Sequence, residues 1–158
     1  MKLLIVLGEG GHTKELLNLV CLLGEDYEYA YLMTSQDPLA ATHLPIPGPI
    51  YRIIRPRDKQ DNFLLAAVKT LIAASRSLMV LIRERPKAVI GTGPAIVVPV
   101  SVVGKLLGVR VIFVETGSRI SRLSLTGRIM YHLADIFFVQ WPVLQQAYPK
   151  AIYAGRLV

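Results

Sequence analysis

The chain has 158 residues, of which 53% are hydrophobic and 18% are charged, so a disordered or low-complexity protein is excluded and one domain with a sizeable core is expected. Eighteen Lys and Arg residues oppose eleven Asp and Glu residues, and the formal net charge of +7 favours phosphates, anionic lipid headgroups or nucleic acid as partners. A single cysteine excludes an internal disulfide and a cysteine-based metal cage.

No signal peptide or membrane-spanning helix is predicted. Five apolar residues precede Gly8 after the first two residues, whereas a signal-peptide core needs roughly 7 to 15. The uncharged run 88–104 is shorter than the about 20 residues that span a bilayer, and it is interrupted by Gly91, Gly93, Pro94 and Pro99. Association with a membrane surface stays open.

Short apolar runs alternate with longer helical patterns, which is typical of an α/β domain with a parallel sheet. In chain order, we predict strand 3–7, helix 13–23, strands 28–33 and 50–54, helix 62–85, strand 88–90, helix 96–107, strand 109–114, helix 125–133 and strand 136–139. The proline-rich stretch 38–49 is interpreted as a loop inside one domain that spans residues 1–158.

The segments that follow the predicted strands carry most of the polar chemistry. They are 8–12 after the first strand, 91–94 after the fourth, 115–119 after the fifth and 140–142 after the sixth. The carboxyl ends of parallel strands face one crevice, where ligands bind. We therefore expect these four segments to meet.

The first of these segments has the composition of a phosphate-binding turn. A strand, then Gly8, Gly10 and Gly11, then a helix brings backbone N–H groups to a phosphate, although a plain tight turn is the alternative. Thr13 stands where a dinucleotide fingerprint needs its third glycine, and the turn has no Walker A lysine. At a helix N-terminus, His12 is either a neutral proton acceptor or a capping or exposed histidine.

Three other residues attract attention individually. Glu115, at the end of an apolar strand, is either a crevice carboxylate or a partner for Arg119, and the two interpretations are compatible. Asp135 is interpreted as a turn residue at the opposite edge of the sheet. Cys21 is predicted to pack in the core from the first helix.

The long predicted helix 62–85 carries a narrow basic stripe on an otherwise apolar surface. Lys69, Arg76 and Arg83 are seven residues apart and therefore share one face. The helix either lies in a membrane interface or against a partner, or it is buried by its own domain.

A second basic cluster lies at the end of the third predicted strand and contains Arg52, Arg55, Arg57 and Lys59. It is either a solvated loop or a recognition site for a pyrophosphate or an anionic membrane. Nucleic acid is not favoured, because no recognised binding motif accompanies the charge.

Taken together, these segments resemble the asparagine-linked glycosylation 14 family, including its prokaryotic relatives of the PssD type in polysaccharide biosynthesis. The resemblance covers essentially the whole chain. It is carried by the turn 10–12, by 90–94 with Pro99, by 113–115 with Arg119, and by the segments 124–127, 134–135, 139–142 and 148–151 leading to Gly155.

The resemblance implies a Rossmann-like open parallel sheet with helices on both faces, equivalent to the N-terminal half of a GT-B glycosyltransferase. It implies the acceptor-side, membrane-recruiting subunit of a split transferase, which moves a sugar, N-acetylglucosamine by family precedent, from a UDP-sugar to a polyprenyl-diphosphate-linked sugar. A separate subunit would bind most of the UDP-sugar. Neither a cofactor nor a bound metal is implied, and the chain would lie peripherally on the cytoplasmic face of an anionic membrane.

The resemblance also assigns roles to residues. Gly10, Gly11, Thr13, Thr92, Gly93 and Arg119 would bind the acceptor and its diphosphate. His12 would be the base for the acceptor hydroxyl, and Glu115 would orient the acceptor sugar or share the base role. Separately from the resemblance, the spacing of the basic stripe predicts that Lys69, Arg76 and Arg83 face the membrane.

Two departures and two alternatives accompany this assignment. Eukaryotic members carry an N-terminal membrane helix that we do not find here, and Glu9 stands where a small hydroxyl residue is usual. The alternative functions are a non-catalytic membrane scaffold for the partner and a nucleotide-dependent Rossmann oxidoreductase, which the broken fingerprint disfavours.

Overall fold

A computed structural model describes residues 1–8, 10–35, 44–56 and 62–157. Its helices are α1 (Gly11–Leu23), α2 (Phe63–Glu84), α3 (Val97–Leu106), α4 (Leu125–Leu133) and α5 (Pro142–Ala147), with a 3-10 turn at Gly24–Asp26. Its strands are β1 (Lys2–Val6), β2 (Glu28–Thr34), β3 (Ile50–Ile53), β4 (Ala88–Thr92), β5 (Arg110–Val114), β6 (Ile136–Val139) and β7 (Ala151–Tyr153).

The seven strands form one sheet in the order β3-β2-β1-β4-β5-β6-β7, and the neighbouring strands pair in parallel. This confirms the predicted Rossmann-like α/β class. The order reverses between β1 and β4, which are hydrogen-bonded neighbours with Ile5 opposite Ile90. In such sheets the ligand crevice opens at the carboxyl ends of the strands beside the reversal, so we expect a candidate site at the ends of β1 and β4.

Alternate residues of the central strands contribute their side chains to two separate hydrophobic cores, one on each face of the sheet. Leu4, Val6 and Val89 point to the face covered by α2, α3 and α4, where Phe113 stacks on Phe137. On the other face, Leu3, Ile5 and Ile90 pack against Leu16 and Val20 of α1. Burial on both faces explains why these strands are continuous apolar runs.

All ten predicted elements are present, and their ends agree with the prediction or differ from it by one or two residues. The prediction missed α5 and β7, because Pro142 suggested a loop although proline is common at the first position of a helix. Cys21 corrects a prediction, since its side chain is exposed. The buried face of α1 runs through Thr13, Leu16 and Val20, and Cys21 lies about 100° around the helix from Val20.

The long helix α2 is anchored near the amino edge of the sheet. Its Asn62 cap accepts a hydrogen bond from Leu65 N at 2.8 Å, and at its other end Glu84 accepts hydrogen bonds from Lys2 and Tyr51. At about 1.5 Å per residue its 22 residues extend about 33 Å, roughly twice the length of a five-residue strand. Its N-terminal half therefore extends past the carboxyl edge of the sheet.

Within the described residues, α2 is the one helix long and apolar enough to cross a membrane by length and composition alone. The sequence prediction of no membrane-spanning helix rested on uncharged runs, and the basic stripe of α2 interrupts any such run. Its buried residues, Ala73, Ser77, Val80 and Leu81, lie between the middle of the helix and its C-terminal end, where the helix packs on the sheet and on α3.

Candidate functional site

The glycine-rich turns after β1 and β4 interlock, as expected from their positions. A side chain at Gly8 would collide with Pro94, and one at Gly93 would collide with the ring of His12. Gly93 also has a φ of 53°, a conformation that glycine adopts without strain. These two glycines let the turns approach closely enough to place His12 between them.

The N-terminus of α1 opens towards solvent beside this contact. Gly10 caps the helix with a φ of 60°, and no heavy atom lies within 4 Å of the position that a side chain would occupy at Gly10 or Gly11. A helix N-terminus with free space around it is suited to an anion, because N–H groups and the positive end of the helix dipole face outward.

Thr13 braces this turn. Its buried hydroxyl donates a hydrogen bond to the carbonyl oxygen of Gly8 at 2.9 Å, so the side chain holds the loop from inside. The prediction that Thr13 contacts a diphosphate is therefore limited by geometry, because its hydroxyl proton is already committed.

His12 and Thr92 supply polar atoms close to the interlocked turns. His12 is half-buried, and its Nδ1 atom is buried without a hydrogen-bond partner among the described residues. The hydroxyl of Thr92, at the end of β4, is also buried and unpartnered within the described chain. Both residues lie where the sequence placed them, at the carboxyl ends of adjacent strands.

Glu115, predicted to be a crevice carboxylate, a partner for Arg119 or both, is buried in the structure. It is 0% exposed, and it accepts hydrogen bonds from Thr116 N at 3.0 Å and from the backbone N and hydroxyl of Ser124 at 3.0 and 3.1 Å. Burial raises the pKa of Glu115, and these hydrogen bonds together with the charge of Arg119 lower it by less. The carboxylate anchors the loop between β5 and α4.

A second buried carboxylate, which the sequence analysis missed, holds the same loop from its other side. Glu15 of α1 is 4% exposed, and its Oε1 atom accepts hydrogen bonds from the Thr116 hydroxyl and from Gly117 N, both at 3.0 Å. Trp141 Nε1 donates to the Gly117 carbonyl oxygen at 2.7 Å. The signal was present in the sequence, because Glu15 lies three residues after His12 and therefore near the same face of the helix.

The last described segment of the chain returns to α1 across the end of β6. Gln140 donates from Nε2 to the Glu115 carbonyl oxygen at 3.1 Å and accepts at Oε1 from Leu157 N at 2.8 Å. Asn18 of α1 donates to the Leu157 carbonyl oxygen at 2.7 Å, and the Arg156 guanidinium lies 4.7 Å from the centre of the Trp141 ring. The loops after β1, β4, β5 and β6 are thus joined at one edge, as predicted.

Arg119 is exposed next to this network, and its backbone N–H closes a turn onto the Thr116 carbonyl oxygen at 3.0 Å. Arg119 and Glu115 are not within ion-pair distance of each other in the described structure, although the charge of Arg119 lowers the pKa of Glu115. Glu9, Arg57 and Lys59 lie outside the described residues.

The surroundings of the predicted basic stripe change along α2. Arg76 and Arg83 are exposed and line a cavity of about 400 Å³ together with Arg52 of β3, at the edge of the sheet. Lys69 is half-buried and Arg55 is also partly buried, and each has an interaction of its own. The cavity thus brings together parts of the two basic clusters that the sequence showed separately.

Asp135 behaves as predicted at the opposite edge. It accepts hydrogen bonds from Lys105 at 2.5 Å and from Val111 N at 2.8 Å, and the hydrogen bond from Lys105 is the main cause that lowers its pKa.

Comparison with known proteins adds an independent line of observation. The family profile described as "Oligosaccharide biosynthesis protein Alg14 like" matches residues 3–157. The Mus musculus protein named UDP-N-acetylglucosamine transferase subunit ALG14 is 34% identical over 182 residues, which covers 100% of this chain and 83% of that protein. Proteins of the same name from Schizosaccharomyces pombe and Candida albicans are 31% and 28% identical, covering 97% and 99% of this chain and 81% and 78% of their own lengths.

Solved structures show the same fold at lower identity. MurG of Acinetobacter baumannii matches with a TM-score of 0.74 and 20% identity, over 90% of this chain and 42% of that protein. The UDP-GlcNAc 2-epimerase of Methanocaldococcus jannaschii matches with a TM-score of 0.71 and 20% identity, over 99% of this chain and 46% of that protein. The chain spans less than half the length of either structure.

Proposed function

The chain belongs to the family of Alg14-like oligosaccharide biosynthesis proteins, and we propose that it is the acceptor-binding subunit of a two-subunit UDP-N-acetylglucosamine transferase. The acceptor in this proposal is a sugar linked through a diphosphate to a polyprenyl lipid. The observation that carries it is the open N-terminus of α1, whose glycines face solvent beside His12 at the reversal of the sheet.

The diphosphate would bind at the turn formed by Gly10 and Gly11. Free backbone N–H groups and the helix dipole favour two adjacent negative charges there, and the absence of side chains lets the phosphates approach the backbone. Thr92 and Gly93 form the neighbouring wall, and Arg119 is an exposed cation on the loop after β5.

His12 is the residue best placed to accept the proton of the attacking hydroxyl. Its ring is half-buried between two glycine turns at the N-terminus of α1. Glu115 has a different role in this proposal, because its buried carboxylate positions the loop that carries Arg119 and does not touch the acceptor.

A separate subunit would supply the domain that binds most of the UDP-sugar. The matched stretches cover 42% and 46% of the two solved structures described above, which supports the proposal that this chain is equivalent to one half of such a fold. The partner would face the carboxyl edge of the sheet, where the loops after β1, β4, β5 and β6 meet.

Helix α2 would bring the crevice to the lipid. Phe63 and Leu64, at 89% and 74% exposure, lie on the half of α2 that extends past the crevice edge, and Leu71, Met79 and Ile82 continue the apolar outer surface. An apolar face bordered by cations is suited to the headgroup region of an anionic membrane. We place the chain peripherally on the cytoplasmic face of such a membrane.

Replacing His12 tests this proposal in the reconstituted two-subunit complex. His12→Ala is expected to lower turnover about 100-fold, the usual scale for loss of a general base, with the KM for UDP-N-acetylglucosamine unchanged. His132→Ala, which alters an exposed histidine on α4, is the matched control and is expected to leave turnover unchanged. Turnover by His12→Ala within threefold of the wild type would remove the base role.

A further inference from the structure

A series of hydrogen-bonded hydroxyl groups leads from the exposed loop after β5 to the buried carboxylate of Glu15. Thr116 Oγ1 donates to Glu15 Oε1 at 3.0 Å, and the hydroxyl oxygens of Thr116 and Ser118 are 3.3 Å apart. Ser118 is exposed, whereas Thr116 and Glu15 are buried. This series of hydrogen bonds therefore connects the crevice surface with the interior of the domain.

The direction of these hydrogen bonds is fixed by the carboxylate. A carboxylate oxygen has no proton to donate, so Thr116 must spend its single hydroxyl proton on Glu15. Thr116 Oγ1 is then an acceptor towards Ser118, and it also lies 3.4 Å from Ser118 N. In the hydrogen bond between these two hydroxyls Ser118 is accordingly the donor, and its oxygen is left as a hydrogen-bond acceptor on the exposed side of the loop.

The burial of Glu15 indicates that this arrangement is not explained by stability alone. Its Oε2 atom is buried and accepts no hydrogen bond from the described residues. A buried polar atom without a partner costs free energy, and an apolar side chain on this face of α1 would avoid that cost. Such unpartnered groups in a native structure are concentrated where a residue has another role.

We propose that Ser118 accepts a hydrogen bond from a hydroxyl of the acceptor sugar, and that Glu15 is a positioning residue that sets Ser118 in this state through Thr116. The inference rests on the proposed function, because it assumes that the acceptor lies at the crevice. Hydrogen bonds arranged in series polarise one another, so an inward-donating Ser118 is a better acceptor than an isolated serine. Other hydrogen bonds hold the backbone of the loop. Gly117 N donates to Glu15, and the Gly117 carbonyl oxygen accepts from Trp141. Thr116 N donates to Glu115.

Steady-state kinetics of the reconstituted complex test the inference with four variants. Ser118→Ala and Thr116→Val are each expected to raise the KM for a short-chain prenyl-diphosphate N-acetylglucosamine about tenfold, since each removes one directed hydrogen bond. The KM for UDP-N-acetylglucosamine should stay unchanged. Thr116→Ser keeps the hydroxyl, and Ser121→Ala removes an exposed serine of the same loop, so both should behave like the wild type.

The double variant Thr116→Val/Ser118→Ala separates this role from a structural one. If the two residues act through one chain, the double variant is no worse than either single variant, whereas independent contributions would add. Additive effects, or an unchanged acceptor KM in the exposed Ser118→Ala variant, would overturn the inference.

Wild-type activity in the same experiment distinguishes this failure from failure of the proposed function. An active wild type with unaffected variants would overturn only the role of Ser118, Thr116 and Glu15. A wild-type complex that neither turns over nor binds the prenyl-diphosphate sugar by calorimetry would overturn both proposals together.

Discussion

The absence of a side chain at Gly93 determines where the imidazole of His12 lies. A side chain at Gly93 would meet the His12 ring, and the φ of 53° at that position is strained for any other residue. The position of the proposed base is thus a property of the turn after β4 as much as of α1.

Gly93→Ala is therefore expected to lower both the melting temperature and the turnover of the reconstituted complex, turnover by tenfold or more. Gly104→Ala in α3 is the matched control, because its added methyl group would lie 3.6 Å from the nearest side-chain atom and alanine favours a helix. Equal activity of the two variants, measured by transferase assay after thermal denaturation scans, would contradict this account of His12.

The buried carboxylate of Glu115 makes a prediction about pH. Burial raises its pKa above the usual value of 4.5, so the folded protein holds this proton more tightly than the unfolded chain does. The stability that protonation contributes is fully present below the unfolded pKa and is lost as pH rises through the folded pKa. Glu115→Gln removes the titration.

The difference in free energy of unfolding between the wild type and Glu115→Gln should accordingly depend on pH from about 4.5 upward and then level off. Urea denaturation of both proteins at a series of pH values measures this difference. A difference that stays constant across the series would show that the environment of Glu115 is not the one described.

The sequence revealed site residues that terminate strands and missed those that act from inside a helix. Gly10, His12, Thr92 and Gly93 follow apolar runs and are easily recognised at a predicted crevice. Glu15 forms its contacts with a loop about a hundred positions away in sequence, and no local pattern reports such a contact.

At the scale of elements, α2 combines a core helix with a surface helix. One face of its C-terminal half contacts the sheet and α3, and the outer face carries exposed apolar side chains such as Met79 and Ile82 next to Arg76 and Arg83. Periodicity predicted the helix and its basic stripe, because both follow from spacing along one segment. The cavity shared with Arg52 could not be predicted, since it depends on which strand forms the edge of the sheet.

Reversing two of these charges should weaken membrane binding. Arg76→Glu/Arg83→Glu is expected to reduce partitioning onto anionic vesicles at least about tenfold, because each cation contributes about 1 kcal/mol near such a surface. Lys87→Glu/Arg110→Glu, which alters exposed cations at the amino edge, is the matched control and should bind like the wild type. Equal cosedimentation of both folded double variants would show that α2 contacts protein and not lipid.

At the scale of the whole molecule, the proposed site lies where the strand order reverses. Alternation of strands and helices predicted a parallel sheet, and the glycine turns predicted a crevice at the ends of β1 and β4. The position of β7 and the return of the last segment to Asn18 were not predictable, because both depend on contacts between distant parts of the chain.

The sheet also accounts for the high apolar content in two ways. The central strands are buried on both faces, and α2 leaves a wide apolar surface uncovered within the described chain. Composition alone could not distinguish these contributions, because it records how many apolar residues are present and not where they lie.

The central claim is that this chain provides the acceptor half of a transferase whose donor half belongs to another subunit. The most direct measurement is sugar transfer from labelled UDP-N-acetylglucosamine to a prenyl-diphosphate sugar by the purified chain, by a donor-binding subunit co-expressed from the adjacent open reading frame, and by the two together. We predict product with the two subunits together and none with either one alone. Sustained turnover by this chain alone, or a purified complex inactive with prenyl-diphosphate sugars, would contradict the account.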